Sequence, residues 1–207
     1  KYPSVEQVTL VELDPHMTQL FSTAPMLTAL NGNALNSPKL RIVNEDAFGW
    51  LERHPGHFDV IVVDFPDPTN FAIGKLYTTS FYERLDEHPA AAGYAVVQTT
   101  SPLIARRSFW TVAATIEAVG LTATPYHAHV PSFGEWGFIL ASRRPWRMPS
   151  ALPEGLRFLD LAGLSALFHF PPDMARVEAQ PNLLSNQRLV HLFEEECARA
   201  GAPRVVP

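Results

Sequence analysis

A single cysteine, Cys197, stands in 207 residues. One thiol forms no disulfide within the chain and builds no cysteine-rich zinc site, and the scarcity of thiols fits a reducing compartment. No basic tract occurs. Lys and Arg total 16 against 21 Asp and Glu, a net charge of −5 that argues against a nucleic-acid partner. No apolar run is long enough to span a bilayer, and no stretch has the pattern of a signal peptide. A nucleophile elbow with its Ser, Asp and His in order is missing, as are internal repeats and low-complexity segments. His127 and His129 alternate and so share one face of a strand, but with no third ligand nearby they make no metal site. Proline is plentiful: 19 residues crowd the loops and the last third.

What is there is an alternation of strand and helix patterns. The stretch with the most chemistry is Phe58-Asp-Val-Ile-Val-Val-Asp64-Phe-Pro-Asp67-Pro68. Its apolar run predicts a strand buried on both faces of a parallel sheet. It ends in two carboxylates, Asp64 and Asp67, on a proline-stiffened loop. Ligands of open α/β sheets sit beyond the carboxyl ends of the strands, where this loop falls. Two acids packed there repel, and a cation between them relieves the repulsion. A cationic substrate, or a base that takes a proton from one, is the chemistry they suggest. Asp next to Pro is also common in plain turns.

The other elements follow in order. Residues 1–7 read as a helix end and a connector. Val8 to Asp14 is strand-like and closed by acids, and Pro15 opens a helix capped by Asp14, with Met17, Leu20 and Phe21 along one side. Leu40 to Val43 is a short strand, and Ala47 to Arg53 a short helix. Helix patterns cover Thr79 to Leu85 and Leu103 to Val119, the latter ended by Gly120, with the strand Gly93 to Gln98 between them. Thr122 to Val130 and Trp136 to Ser142 form an antiparallel hairpin at the sheet edge. After the proline-rich joint 145–153, helices run from Arg157 to Phe170 and from Gln187 to Ala200. The fold class is α/β, a doubly wound sheet with an antiparallel addition. Residues 1–145 are expected to form one partial domain that carries the strand-end acids, and 146–207 a helical extension packing on it.

Several polar residues close strands or cap helices. Glu12 either accepts from ribose hydroxyls or has only a structural role. Asp46 either accepts from an adenine amino group or caps the helix that follows. Gln98 either binds a ligand or braces a loop. Tyr77 and Tyr82 read as core or rim aromatics, His169 and His191 as surface or packing residues, and Cys197 as an unreactive thiol.

These residues resemble the polyamine aminopropyltransferases, or spermidine synthases. Val11-Glu12-Leu13-Asp14 is similar to the family's ribose-binding Glu-Ile-Asp. Glu45-Asp46-Ala47-Phe48 is similar to its adenine-binding segment, and Asp64-Phe-Pro-Asp67-Pro68 to its catalytic Asp-x-x-Asp-Pro loop. Leu76-Tyr77-Thr-Thr-Ser-Phe81-Tyr82 and Val130-Pro-Ser-Phe133-Gly-Glu135-Trp136-Gly-Phe138 are similar to the segment and hairpin that follow. The wording is closest to a bacterial branch fused to a membrane-embedded region.

The resemblance implies a Rossmann-like, class I methyltransferase-like sheet. It implies aminopropyl transfer from decarboxylated S-adenosylmethionine to a diamine, putrescine first, with methylthioadenosine released and no tightly bound cofactor. Asp64 is then the base and Asp67 the amine-binding partner. Glu12, Asp46 and Ala47, with Asp64, hold the nucleoside co-substrate. Gln98, Phe133 and Glu135 lie on the amine side. A homo-oligomer in the cytoplasm is implied, and, by likeness to the membrane-fused branch, a tether to a membrane region elsewhere in the parent protein. Two departures stand out. The family's Gly-rich loop after its first strand is absent, so the chain is expected to be a fragment lacking that strand. The family's hairpin Tyr is Phe133 here, which removes a hydroxyl and opens the choice of the acceptor amine; Glu135 is either a substitute acid or a solvated loop carboxylate. Rival readings are an S-adenosylmethionine-dependent methyltransferase and a non-catalytic adenosyl- or polyamine-binding domain.

Overall fold

Strand and helix patterning carries through to the structure, a computed structural model that describes residues 3–201. Residues 1, 2 and 202–207, the outermost parts of the expected connector and helical extension, lie outside the described residues. Residues 3–7 form a turn and an extended lead-in, not a helix end. The chain divides into two compact units, Lys1–Pro55 and Gly56–Pro207.

In the first unit, β1 (Val8–Val11) pairs in parallel with β2 (Leu40–Val43), Val11 opposite Val43. Three helices accompany them: α1 (Pro15–Thr23), α2 (Pro25–Leu30) and α3 (Ala47–Arg53). Asp14 caps α1 by accepting from the His16 amide at 2.8 Å, with Pro15 at the first turn, as the sequence predicts. The buried residue of α1 is Thr18, while Met17 and Leu20 are exposed and Phe21 is half-buried. The Thr18 hydroxyl bonds the Pro15 carbonyl at 3.0 Å and Asn44 Oδ1 at 3.2 Å, which fixes that face of the helix to the end of β2.

The second unit holds a four-stranded sheet in the order β3 (Phe58–Val63), β4 (Pro89–Gln98), β6 (Gly134–Ser142), β5 (Thr122–Val130). β3 and β4 are parallel, and β5 and β6 are the expected antiparallel hairpin. Among the described strands β1 therefore pairs with β2 and β3 with β4, in two sheets. Helices α4 (Phe71–Gly74), α5 (Thr79–Asp86), α6 (Arg106–Ala118), α7 (Leu161–Leu167) and α8 (Arg188–Arg199) complete the unit. The core joins Val63, Ala95, Val97, Ile139 and Ala141 of the sheet to Phe81 and Leu85 of α5, Phe109, Val112 and Ile116 of α6, and Leu189 of α8.

Burial of β3 on both faces is not what the structure shows. Val63 is buried, but Val60 and Val62 are 63% and 70% exposed. Pleating sends alternate residues to opposite faces, and the buried residues of this sheet lie on Val63's face. The joint 145–153 lies inside the second unit, and α8 beyond it packs on α6.

That packing includes one polar contact of consequence. Ala105, at the N-cap of α6, has no side-chain acceptor for the free amides of the first turn. Glu196, on α8 and only 9% exposed, supplies it. Its carboxylate accepts from the Arg107 amide at 2.7 Å, the Ser108 amide at 2.9 Å and the Ser108 hydroxyl at 2.7 Å. The charge also sits favourably at the positive end of the α6 dipole. Glu196→Ala leaves these donors buried and unmet, so it is expected to lower the unfolding free energy by about 1–3 kcal/mol. Urea titration reads this directly, and an unchanged midpoint would show that α6 does not depend on the cap.

Candidate active site

Parallel strands deliver their carboxyl ends to one edge, and each unit has polar residues there. In the first unit, Glu12 follows β1, and Asn44 to Ala47 follow β2 directly beside it. The Glu12 amide donates to the Val43 carbonyl at 2.9 Å, and Asn44 Nδ2 donates to the Glu12 carbonyl at 3.1 Å. Glu12 Oε1 accepts from the Asp14 amide at 2.9 Å, which fixes the carboxylate at the turn. Asp46 occupies the N-cap position of α3 without a side-chain capping hydrogen bond, and it and Ala47 follow β2 at the same strand edge as Glu12.

In the second unit, Asp64 leaves β3 exposed, while Asp67 is half-buried and Pro68 buried. Burial pushes the Asp67 carboxyl up to about 6, opposed in part by a hydrogen bond from the Thr100 side chain. The repulsion between Asp64 and Asp67 expected from the sequence is not the cause of the shift. Thr100 is set by a close approach of strands. The Gly137 amide donates to the Thr100 carbonyl at 3.2 Å, and the Thr99 amide to the Gly137 carbonyl at 3.0 Å. A Cβ at Gly137 would lie 2.4 Å from the Phe109 ring and 2.6 Å from the Thr100 carbonyl oxygen. Only glycine allows that approach.

The acidic loop is held from two sides. Gln98, at the end of β4, donates through Nε2 to the Phe65 carbonyl at 3.2 Å. This is the loop-bracing role of the two the sequence left open. Tyr77, 1% exposed, points its hydroxyl at the Phe65 and Pro66 carbonyls, at 3.2 and 3.0 Å. Burial first, then the charges of Asp67 and Asp64, raise the phenol far above its ordinary range, so it remains a donor. Tyr82 is fully buried, and its hydroxyl has no hydrogen-bond partner.

Phe133, in the β5–β6 turn, is 63% exposed and packs on Trp136 with ring centres 5.2 Å apart. Glu135 is not a solvated loop carboxylate. His127 Nδ1 meets Glu135 Oε1 at 2.5 Å, His127 Nε2 meets the His169 carbonyl at 2.7 Å, and His129 Nδ1 lies 4.0 Å from Glu135 Oε2. The alternating histidines thus address an acid on the neighbouring strand. Among the described residues no group of three or more His, Cys, Asp or Glu side chains is arranged to hold a metal. Burial, with the nearby charges of Asp67 and Glu196, raises the Cys197 thiol, in keeping with an unreactive side chain. Sequence reading did not find Thr100, Tyr77 in its bracing role, or His127 as the partner of Glu135. Gly137 inside the hairpin motif was the available signal for Thr100.

Two α/β units with parallel strand pairs, each with acids at its carboxyl strand ends and one of those acids half-buried and of raised proton affinity, define the class of open α/β proteins whose ligand sites lie beyond the strand ends. Comparison with known proteins narrows this. The family model described as "Spermine/spermidine synthase domain" matches residues 1–147. The chain is 52% identical over 198 residues to "Polyamine aminopropyltransferase 2" of Ralstonia nicotianae, covering 95% of this chain and 39% of that protein. It is 45% identical to "Polyamine aminopropyltransferase" of Leptospira interrogans, covering 96% and 40%. The chain thus spans about two fifths of the length of these relatives. The fold matches the spermidine synthase of Thermotoga maritima with a TM-score of 0.64 and 22% identity, over 82% of this chain and 59% of that one. A spermidine synthase in complex with the transition-state analogue AdoDATO matches with a TM-score of 0.67 and 23% identity, over 82% and 60%. The chain belongs to the spermine/spermidine synthase domain family.

The raised proton affinity of Asp67 has a signed consequence. Its ordinary value is 3.8 and its folded value about 6, so the folded state binds more protons between the two. The stability that this protonation contributes is complete below the lower value and lost as pH rises through the upper one. Asp67→Asn is therefore expected to raise Tm at pH 8, by about 2–4 °C, with the gain disappearing near pH 4. Thermal melts at both pH values check it. Equal melting of variant and wild type at pH 8 would mean the carboxylate carries no burial cost.

Proposed function

We propose that this domain transfers an aminopropyl group from decarboxylated S-adenosylmethionine to a diamine, putrescine being the first candidate, and releases 5′-methylthioadenosine. The observation that carries this reading is the acidic loop after β3, with Asp67 half-buried and hydrogen-bonded to Thr100, in a chain 52% identical to a polyamine aminopropyltransferase. An alkyl ammonium has a pKa of about 10.4, so at neutral pH it carries no free lone pair. Asp64 takes the proton from it, and Asp67 pairs with the charge and aims the nitrogen. The freed lone pair attacks the methylene carbon next to the sulfonium. A carbon–nitrogen bond forms, the carbon–sulfur bond breaks, and sulfur keeps the electron pair as a neutral thioether.

Glu12 serves the ribose hydroxyls, and Asp46 with Ala47 the adenine. Gln98 acts on the loop that carries the acids, while Phe133 and Glu135 shape the amine side. No covalent enzyme intermediate is needed, so positioning supplies most of the rate enhancement. The reading extends to a homo-oligomer working in the cytoplasm. No helix of the described residues is long and apolar enough to cross a membrane.

The test is Asp64→Asn in the full-length protein. Transfer is expected to fall by about 100- to 10,000-fold. Binding of methylthioadenosine, followed by calorimetry, is expected to stay near wild type. Turnover of the variant at the wild-type rate would remove Asp64 from the role of base. Turnover of intact rather than decarboxylated S-adenosylmethionine by the wild type would replace the reading with methyl transfer.

A further inference from the structure

We infer that Asn182 is a positioning residue for the acidic loop and acts through Tyr77, an inference that rests on the aminopropyl-transfer reading for its kinetic consequence. Asn182 lies beyond the residues that the family model matches and is fully buried. Its hydrogen-bonding capacity is spent on joining three segments. Its amide donates to Thr115 Oγ1 on α6 at 2.9 Å, and its carbonyl accepts from the Thr79 amide, at the start of α5, at 3.0 Å. Oδ1 accepts from the Leu189 amide of α8 at 3.1 Å. Nδ2 donates to the Gly74 and Tyr77 carbonyls at 3.4 and 3.0 Å.

The two Nδ2 bonds bracket the turn Lys75–Tyr77, one on Gly74 at the end of α4 and one on Tyr77, just before α5. Gly74 shows how closely that turn is drawn in, because a Cβ there would lie 2.6 Å from Val190 Cγ2 and 2.8 Å from Gln187 Oε1. Tyr77 then crosses from this turn to the loop between Asp64 and Asp67. Its ring meets Phe65 edge-on with centres 6.3 Å apart, and its hydroxyl donates to the Phe65 and Pro66 carbonyls. The backbone of Tyr77 is thus fixed by Asn182, and its hydroxyl fixes the two residues that separate the acids. A tyrosine without an anchored backbone would leave Gln98 as the remaining side-chain brace on the Phe65 carbonyl. Asparagine suits the node, because one side chain must both donate twice and accept once.

Two variants of the full-length protein test this. Tyr77→Phe removes the hydroxyl and keeps the ring. Asn182→Asp keeps the acceptor and sets a carboxylate against two carbonyls. Each is expected to lower kcat by about 10- to 100-fold while leaving KM for decarboxylated S-adenosylmethionine within about twofold, since a displacement of about 1 Å at a reacting group costs that much. The double variant is expected to be no slower than the slower single one, because both act on one element. A purely structural role would reduce the active fraction and leave kcat per folded molecule unchanged. That result with Tyr77→Phe overturns the inference even if Asn182→Asp fails to fold. A readout independent of turnover is amide exchange of the peptide containing Phe65 and Asp67. It is expected to speed up by about tenfold or more in Tyr77→Phe, with exchange in α6 unchanged. Unchanged exchange there refutes the relay. If the wild type fails to transfer but the loop exchange responds, the positioning stands and the proposed reaction falls.

Discussion

Two donors converge on the carbonyl of Phe65: the amide of Gln98 and the hydroxyl of Tyr77. The loop they pin has no regular structure of its own, and it carries both acids. Pro66 and Pro68 restrict its backbone and remove two amides that could have bonded elsewhere. The Asp67 carbonyl accepts locally from the Thr69 amide, but the Phe65 and Pro66 carbonyls take their donors from outside the loop. A displacement reaction depends on distance and angle at the nitrogen, so the loop's rigidity matters as much as its charge. Thr100 serves the same end from the opposite side by donating to the Asp67 carboxyl, and the close passage of β6 at Gly137 keeps Thr100 in place.

A second constraint concerns charge out of water. A half-buried carboxylate costs free energy unless donors or a cation compensate it. Asp67 has one identified side-chain donor, Thr100, and its raised proton affinity shows that this does not offset burial. In the proposed reaction an ammonium group next to it supplies the missing compensation. Glu196 solves a similar problem differently. It too is buried, but three donors from the start of α6 meet it, and its role is to hold a helix rather than to bind. The two acids differ in donor supply more than in burial, and that difference separates a binding carboxylate from a structural one.

Much of this was legible in the residues. Leu40–Val43 and Ala47–Arg53 match their elements end to end, because apolar spacing and flanking polar residues agree there. Positive φ at Gly120 closes the turn after α6 as its sequence position suggests. The acids after β1, β2 and β3 all fall at strand ends. What could not be read was contact between residues far apart in the chain. No local pattern marks Glu196 on its helix or Asn182 in the loop before it. Thr100 carried no pattern at all. Val60 and Val62 were misjudged for another reason: an apolar run records that a strand forms, but not which of its faces is covered. Asp46 matched the local rule for a helix cap, and the fold did not use it so.

The relay from Asn182 to Tyr77 spans about a hundred positions of sequence. A ribosome delivers the acidic loop first and its anchor only after α6 and both hairpin strands have emerged. Gln98 and Thr100, which brace the same loop, come earlier in the chain than Asn182, so the acidic segment meets its supports in sequence order and the anchor of Tyr77 is the most distant of them.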